Sequence, residues 1–219
     1  MRHRASSGES QGQGGGSTGQ GVAEQGVSEQ GRRGHRTYCS QPVTQEKDLP
    51  ASGCIVDGHA EDSVGIVREL FLEYAAWLTV DLCFQDFDAE LAALPGKYVP
   101  PTGAILLAQV HGAVAGCVAM RRLDVSVAEM KRLWVRQSFR GGGIGKLLVE
   151  AIIERARAAG YARLRLDTLP QMKTALVLYR ALNFYEVPAY YNNPVPGAMF
   201  LEKVLVQPAT PPEEAKGRN

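Results

Sequence analysis

The run Arg140-Gly141-Gly142-Gly143-Ile144-Gly145-Lys146 constrains this chain more than any other stretch, because it joins a strand-like segment, Val127 to Val135, to a helix-like one, Ile144 to Ala159. Glycines in such a turn let the backbone approach an anion closely and aim its N–H groups inward. The helix that follows adds unpaired N–H groups and the positive end of its dipole. Strand, glycine loop and helix together make a phosphate cradle within an α/β fold, with Arg140 and Lys146 supplying charge at its two ends. Taken alone, the same residues also read as a plain tight turn.

Spacing narrows the ligand. The nucleoside-triphosphate loop G-x-x-x-x-G-K-S/T, aligned on Gly145-Lys146, needs glycine at Arg140 and a hydroxyl at Leu147. The dinucleotide pattern G-x-G-x-x-G needs glycine at Lys146 when started from Gly141, and at Leu148 when started from Gly143. Both fail. The pattern Gln/Arg-x-x-Gly-x-Gly fits at Arg140, Gly143 and Gly145, and there the chain resembles the GNAT superfamily of acyl-CoA-dependent N-acetyltransferases. The flanks carry the likeness further: Glu129 to Val135 looks like that family's fourth strand, and Ala175 to Phe184 like its A-x-x-L-Y-x-x-x-G-F passage from helix to strand. The resemblance covers roughly Ile55 to Val206. It departs at Asn183, where the family usually has glycine, and at Met172, where many members place asparagine. Asparagine tolerates the left-handed conformation that ends helices.

Composition sets the frame. Ten of the 24 glycines fall between Gly8 and Gly34, in a stretch rich in Gln, Ser and Glu and poor in large apolar residues. Such a segment cannot bury enough surface to offset its ordering entropy, so residues 1–50 are expected to be a disordered tail, 51–206 the folded domain and 207–219 a second tail. A net charge of +1 with interspersed signs lacks the basic footprint of a nucleic-acid binder. Cys39, Cys54, Cys83 and Cys117 are scattered without C-x-x-C spacing, and the four histidines do not cluster, so neither disulfide framework nor metal site is expected. With no apolar run long enough to span a bilayer, the sequence reads as a soluble cytoplasmic protein, monomeric or homodimeric.

Periodicity predicts an ordered succession of elements. A first strand at Ile55-Val56 precedes an amphipathic helix carrying Val64, Val67, Phe71, Tyr74 and Leu78, then a short helix from Asp86 to Leu94. Two apolar strands, Ala104 to Val110 and Val114 to Arg121, are joined through His111-Gly112 as a hairpin. Then come the strand Val127–Val135, the loop and its helix, an alternating strand Arg163–Thr168, a helix Lys173–Leu182, and strands at Tyr185–Val187 and Ala198–Val206. This order gives a mixed α/β sheet with helices on both faces. Apolar parity breaks between Met130 and Leu133, which predicts either a bulge near Lys131-Arg132 or a regular strand with a snorkelling Arg132.

The GNAT resemblance implies a mostly antiparallel sheet whose fourth and fifth strands splay apart. It also implies acetyl-CoA as co-substrate, bound through its pantetheine arm to the backbone of Leu133, Trp134 and Val135 and through its pyrophosphate to Arg140, Gly141, Gly142, Gly143, Ile144, Gly145 and Lys146. Tyr179 shares the apolar stripe of its helix with Ala175, Leu178 and Leu182, and from periodicity alone it reads as core. By its match to the family's L-Y position it would instead protonate the departing coenzyme A thiolate. Glu129 is the first candidate to accept the amine's proton, with Asp167 and Asp86 behind it, while Asp86 reads equally as a helix N-cap. The acceptor, a small-molecule or peptide amine, would by the resemblance meet Asp81 to Phe87, Tyr98 and Tyr190 to Pro194; the rings, with Asp81, Asp86 and Asp88 nearby, suit a small cationic amine, while capping and solvation explain those acids equally well. Competing readings are a non-catalytic acyl-CoA sensor or scaffold, and an interaction protein working through its glycine-rich tail, which lacks the aromatic or Arg-Gly repeats that stack on RNA.

Overall fold

A computed structural model of the chain describes residues 53–78, 80 and 86–205. The segments read as tails, 1–50 and 207–219, lie outside the described residues, as do Cys39, Cys83 and most of the stretch from Asp81 to Phe87. Strands β1 (Gly53–Asp57), β2 (Ala104–Val110), β3 (Ala113–Arg122), β4 (Val127–Val135), β5 (Arg163–Thr168), β6 (Tyr185–Val187) and β7 (Met199–Val204) form one sheet in the order β1-β2-β3-β4-β5-β7-β6. All neighbours are antiparallel except β4 and β5. That exception follows from connectivity, since β4 reaches β5 by a helical crossover and a crossover returns a strand in parallel.

Helices α1 (Val64–Leu78) and α2 (Phe87–Ala92) cover one face of the sheet; α3 (Ile144–Ala158) and α4 (Lys173–Ala181) cover the other. Strand β2 lies between them. Its Ala104, Leu106 and Ala108 enter the core under α3, while Ile105 and Leu107 enter the core under α1, so an unbroken apolar run is what two covered faces require. The hairpin into β3 turns on His111 at φ 49° and Gly112 at φ 79°, the two left-handed residues of a type I′ turn. No helix among the described residues is long and apolar enough to cross a membrane.

Helix α4 ends as the sequence suggested. Asn183 takes φ 61°, the Phe184 N–H reaches the Tyr179 carbonyl at 2.9 Å, and the Asn183 N–H reaches that of Arg180 at 3.0 Å. Those two bonds make a Schellman stop with asparagine in the glycine position. The second helix is shorter than expected, and Asp86 does not cap it. That residue precedes α2 in the left-handed region at φ 53°, and its side chain makes no cap hydrogen bond.

Candidate active site

The glycine loop opens where β4 meets α3. Gly141 at φ 82° and Gly143 at φ 80° hold conformations that side-chain-bearing residues rarely adopt, and a Cβ on Gly141 would meet no atom within 4 Å. The Leu147 N–H makes a bond to the Gly143 carbonyl, 3.0 Å, which leaves the N–H groups of Ile144, Gly145 and Lys146 ahead of it without helical acceptors. This is an open cradle of backbone donors, and it fits a diphosphate. A cavity of about 270 Å³ adjoins it, walled by Leu133, Trp134 and Val135 of β4 and by Arg140, Gly141, Gly143, Ile144 and Gly145 of the loop. Gly142 and Lys146, also expected at the cofactor, do not line it.

The space exists because two strands part. Strands β4 and β5 pair over Val127–Glu129 and Arg163–Arg165, after which β5 stays with β7 and β4 stays with β3. A bulge re-aims β4 at this point. Register shifts between Cys117 and Ala119, so that Arg132 and Leu133 stand opposite one residue, with Arg132 at φ 57°. A non-glycine residue held there costs about 1–2 kcal/mol. The carbonyl of the bulged residue is satisfied from the neighbouring strand, where the Cys117 thiol donates to Arg132 O at 3.4 Å. Gly116 lets β3 come in this close, since a Cβ there would lie 2.2 Å from the Trp134 carbonyl oxygen.

Charge pins the bulge. Arg132 donates to Glu90 through Nε at 2.8 Å and through its NH2 nitrogen at 3.3 Å, with both side chains buried. Its guanidinium lies 4.9 Å from the Phe87 ring. Burial pushes the Glu90 carboxyl upward, but the hydrogen bonds and charge of Arg132 outweigh it and hold the group below its ordinary 4.5. Stability from this pair is therefore complete above that value and lost as pH falls through the lower folded one. Glu90→Ala is expected to cost about 3–5 kcal/mol at neutral pH, as for other broken buried pairs, and less in acid. Urea titrations at two pH values measure this, and an equal cost at both would contradict it.

Beyond the bulge lies a smaller cavity of about 40 Å³, which shares Leu133 and Met172 with the first. Tyr179 lines it, 4 % exposed, packed 5.8 Å from the Phe184 ring. Burial pushes its phenol well above the usual value, so it stays protonated. Asp167, two residues past the last β4–β5 pair, lines the same cavity. Its Oδ1 accepts from Lys131 Nζ at 3.1 Å and its Oδ2 from Asn193 Nδ2 at 3.3 Å. Glu129 is placed elsewhere. It is fully buried beside the cavity, with Oε2 accepting from Arg121 Nε at 2.6 Å and Oε1 from the Tyr190 hydroxyl at 3.0 Å.

Among the described residues, the expected acceptor wall is only partly assembled. Asn193 reaches the inner cavity, whereas Tyr98 is a core residue, 1 % exposed and edge-on to Phe71 at 6.1 Å. Asp86 and Asp88 face solvent. Several wall residues went unanticipated. Trp77 of α1 lines the outer cavity, and Tyr74, one turn away, lines the inner one, its phenol pushed up to about 12 by burial. Lys131, at the expected bulge, also lines the inner cavity, where a strand lysine ordinarily points to water. Glu73 ties α1 to the site, accepting from Trp134 Nε1 at 2.8 Å and from Arg136, whose hydrogen bond holds its carboxyl below the ordinary value. The Arg140 guanidinium sits 4.7 Å from the Trp134 ring and 5.3 Å from that of Trp77 while Nε donates to Val135 O at 2.9 Å.

Comparison with known proteins agrees with this geometry. The family described as Acetyltransferase (GNAT) family matches residues 64–184. An uncharacterized N-acetyltransferase of Schizosaccharomyces pombe is 40% identical over 136 residues, covering 61% of this chain and 83% of that one. Among solved structures, an acetyltransferase of the GNAT family from Staphylococcus aureus Mu50 superposes with a TM-score of 0.59 at 19% identity, over 71% of this chain and 100% of that one. The yncA protein of Salmonella typhimurium, solved with its cofactor acetyl-CoA, gives 0.52 at 18% identity, over 74% of this chain and 98% of that one.

Proposed function

The chain belongs to the acetyltransferase (GNAT) family, and on that premise we propose that it transfers the acetyl group of acetyl-CoA directly to a primary amine, with residues 51–206 as the catalytic domain. The observation that carries this reading is the adjacency of the two cavities, which share Leu133 and Met172 in their walls. One ends on a backbone-donor cradle suited to the coenzyme's pyrophosphate; the other, past Leu133 and Met172, holds a protonated phenol and a carboxylate. The yncA structure contains acetyl-CoA as its cofactor. In this chain Arg140, Gly141, Gly143 and the N–H groups opening α3 hold its diphosphate, and the β4 backbone from Leu133 to Val135 takes its pantetheine arm. Val135 O is bonded to Arg140 in this structure, so cofactor binding exchanges that bond.

Protons then balance as follows. The acceptor enters as an ammonium and gives one proton to Asp167, which faces the cavity where Glu129 does not. The free amine attacks the thioester carbonyl carbon, forming a C–N bond, and the C–S bond breaks as the adduct collapses. The second nitrogen proton reaches sulfur by way of the Tyr179 phenol, which donates one proton as it receives another. The Asp167 proton leaves to water. Products are the acetamide and coenzyme A as a thiol.

Gly143→Val tests the cradle. At φ 80° a β-branched residue is strained and crowds the donors, so acetyl-CoA affinity is expected to fall at least about tenfold in a folded protein. Calorimetry measures it directly, and both of the chain's tryptophans line the outer cavity, so their fluorescence reports the same event. Thiol release from acetyl-CoA across amino acids, polyamines, aminoglycosides and peptide N-termini, with mass spectrometry of the product, tests the reaction. Tight binding without turnover of any amine would replace the enzyme with an acyl-CoA sensor.

A further inference from the structure

The inner cavity carries a largely buried ion pair that the pairing of the sheet does not require. Lys131 Nζ and Asp167 Oδ1 stand 3.1 Å apart with side chains 6% and 13% exposed, on two strands that have already separated. Burying two charges costs several kcal/mol per ion, roughly the value of their mutual attraction, and apolar residues of the same size usually serve a core as well or better. The pair is joined by a single Nζ–Oδ1 bond, and polar groups on the cavity side hold the rest of the carboxylate: Asn193 donates to Oδ2 and also to the Tyr191 hydroxyl at 3.1 Å, and Tyr191 itself hydrogen-bonds Asp167. A cavity wall with one cation and one anion side by side is complementary to a ligand bearing both signs.

Charge accounting through the reaction points the same way. The second cation on this wall, Arg132, is matched by Glu90 behind it, so the wall is neutral before the acceptor arrives. A simple ammonium adds an uncompensated positive charge to a desolvated site. When it gives its proton to Asp167, the carboxylate is neutralised and Lys131 is left as a buried cation without a counterion. An acceptor that carries its own carboxylate next to the amine removes both penalties: its ammonium meets Asp167, its carboxylate meets Lys131, and after proton transfer that carboxylate becomes the lysine's partner.

Resting on the acetyl-transfer reading above, we propose that the acceptor is a free α-amino acid, with Lys131 as the specificity residue for its carboxylate and Asp167 as the seat of its amine. This replaces the small cationic amine suggested by the acids of the sequence, since Asp86 and Asp88 are exposed and the cavity wall instead carries Lys131 and Arg132.

The experiment compares free amino acids with their carboxamides as acceptors for the full-length protein, by thiol release from acetyl-CoA. The amide differs only in charge at the carboxyl, and it has the more readily deprotonated amine, so chemistry alone would favour it. The acid is expected to show a kcat/KM higher by about 10- to 100-fold, the range a charge-assisted hydrogen bond supplies. Lys131→Met should bring that ratio toward one by raising KM for acids, while Lys131→Arg keeps it and acetyl-CoA affinity is unchanged in both. If the methionine variant does not fold, the wild-type ratio still decides the matter. Equal or better use of amides or polyamines overturns this proposal and leaves acetyl transfer standing. Thiol release with no amine at all overturns the acetyl-transfer reading and this one together.

Discussion

Tyr179→Phe is expected to lower kcat by about 10²- to 10⁴-fold, the range a positioned general acid contributes, with little change in stability or in acetyl-CoA affinity. The substitution removes one oxygen and keeps the ring. That ring is 4 % exposed and packs on Phe184, so the contacts that anchor α4 survive it. What disappears is the proton that must reach sulfur when the C–S bond breaks. Burial raises the Tyr179 phenol, which keeps the proton in place before reaction and makes its release dependent on the simultaneous arrival of the adduct's proton. The defect should therefore appear in single-turnover acetyl transfer rather than only in steady state. A variant that transfers acetyl at the wild-type single-turnover rate would return Tyr179 to the core, and Tyr74, which lines the same cavity, would become the donor to test next.

How far the sequence could be read follows a physical line between local and long-range determinants. Strands at Val127–Val135 and Arg163–Thr168 and the hairpin at His111-Gly112 were legible because alternation and turn chemistry are local. So was the bulge, since a break of parity within one strand betrays it and Arg132 takes the left-handed conformation at that break. Membership in the family was legible from the loop together with its flanks, Glu129 to Val135 and Ala175 to Phe184. Which carboxylate opens on the cavity was not. Glu129 and Asp167 lie on adjacent strands, but β4 and β5 separate between Glu129 and Met130, so one side chain is locked in paired sheet against Arg121 and the other opens on the cavity. Where two strands part depends on contacts distant in sequence, and no window of residues encodes it. The same holds for Tyr98, which reads as a wall residue but packs against Phe71 in the core, and for Lys131, whose burial depends on α1 crossing over β4.

That distinction between the two carboxylates makes the second large effect specific. Asp167→Asn is expected to reduce kcat/KM at neutral pH by about 10²-fold or more, the lower end of general-base contributions, whereas Glu129→Gln should act mainly on stability through Arg121 and Tyr190. Asparagine keeps an acceptor for Lys131 but cannot take a proton. The pH profile separates loss of the base from a general loosening of the site. The α-amino group of a peptide titrates at about 7.7–8.0 and that of a free amino acid higher, because its carboxylate favours the ammonium; as pH rises past that point the acceptor arrives already deprotonated and the missing base matters less. The deficit of the Asp167 variant should shrink steadily toward alkaline pH. A disturbed cavity would instead impose the same deficit at every pH, and that outcome would remove Asp167 from the reaction while leaving its tie to Lys131 as structure. Equal deficits from both carboxylates, each shrinking with pH, would mean the proton travels from the cavity through Tyr190 to Glu129, and the Tyr190→Phe variant would then have to reproduce the loss.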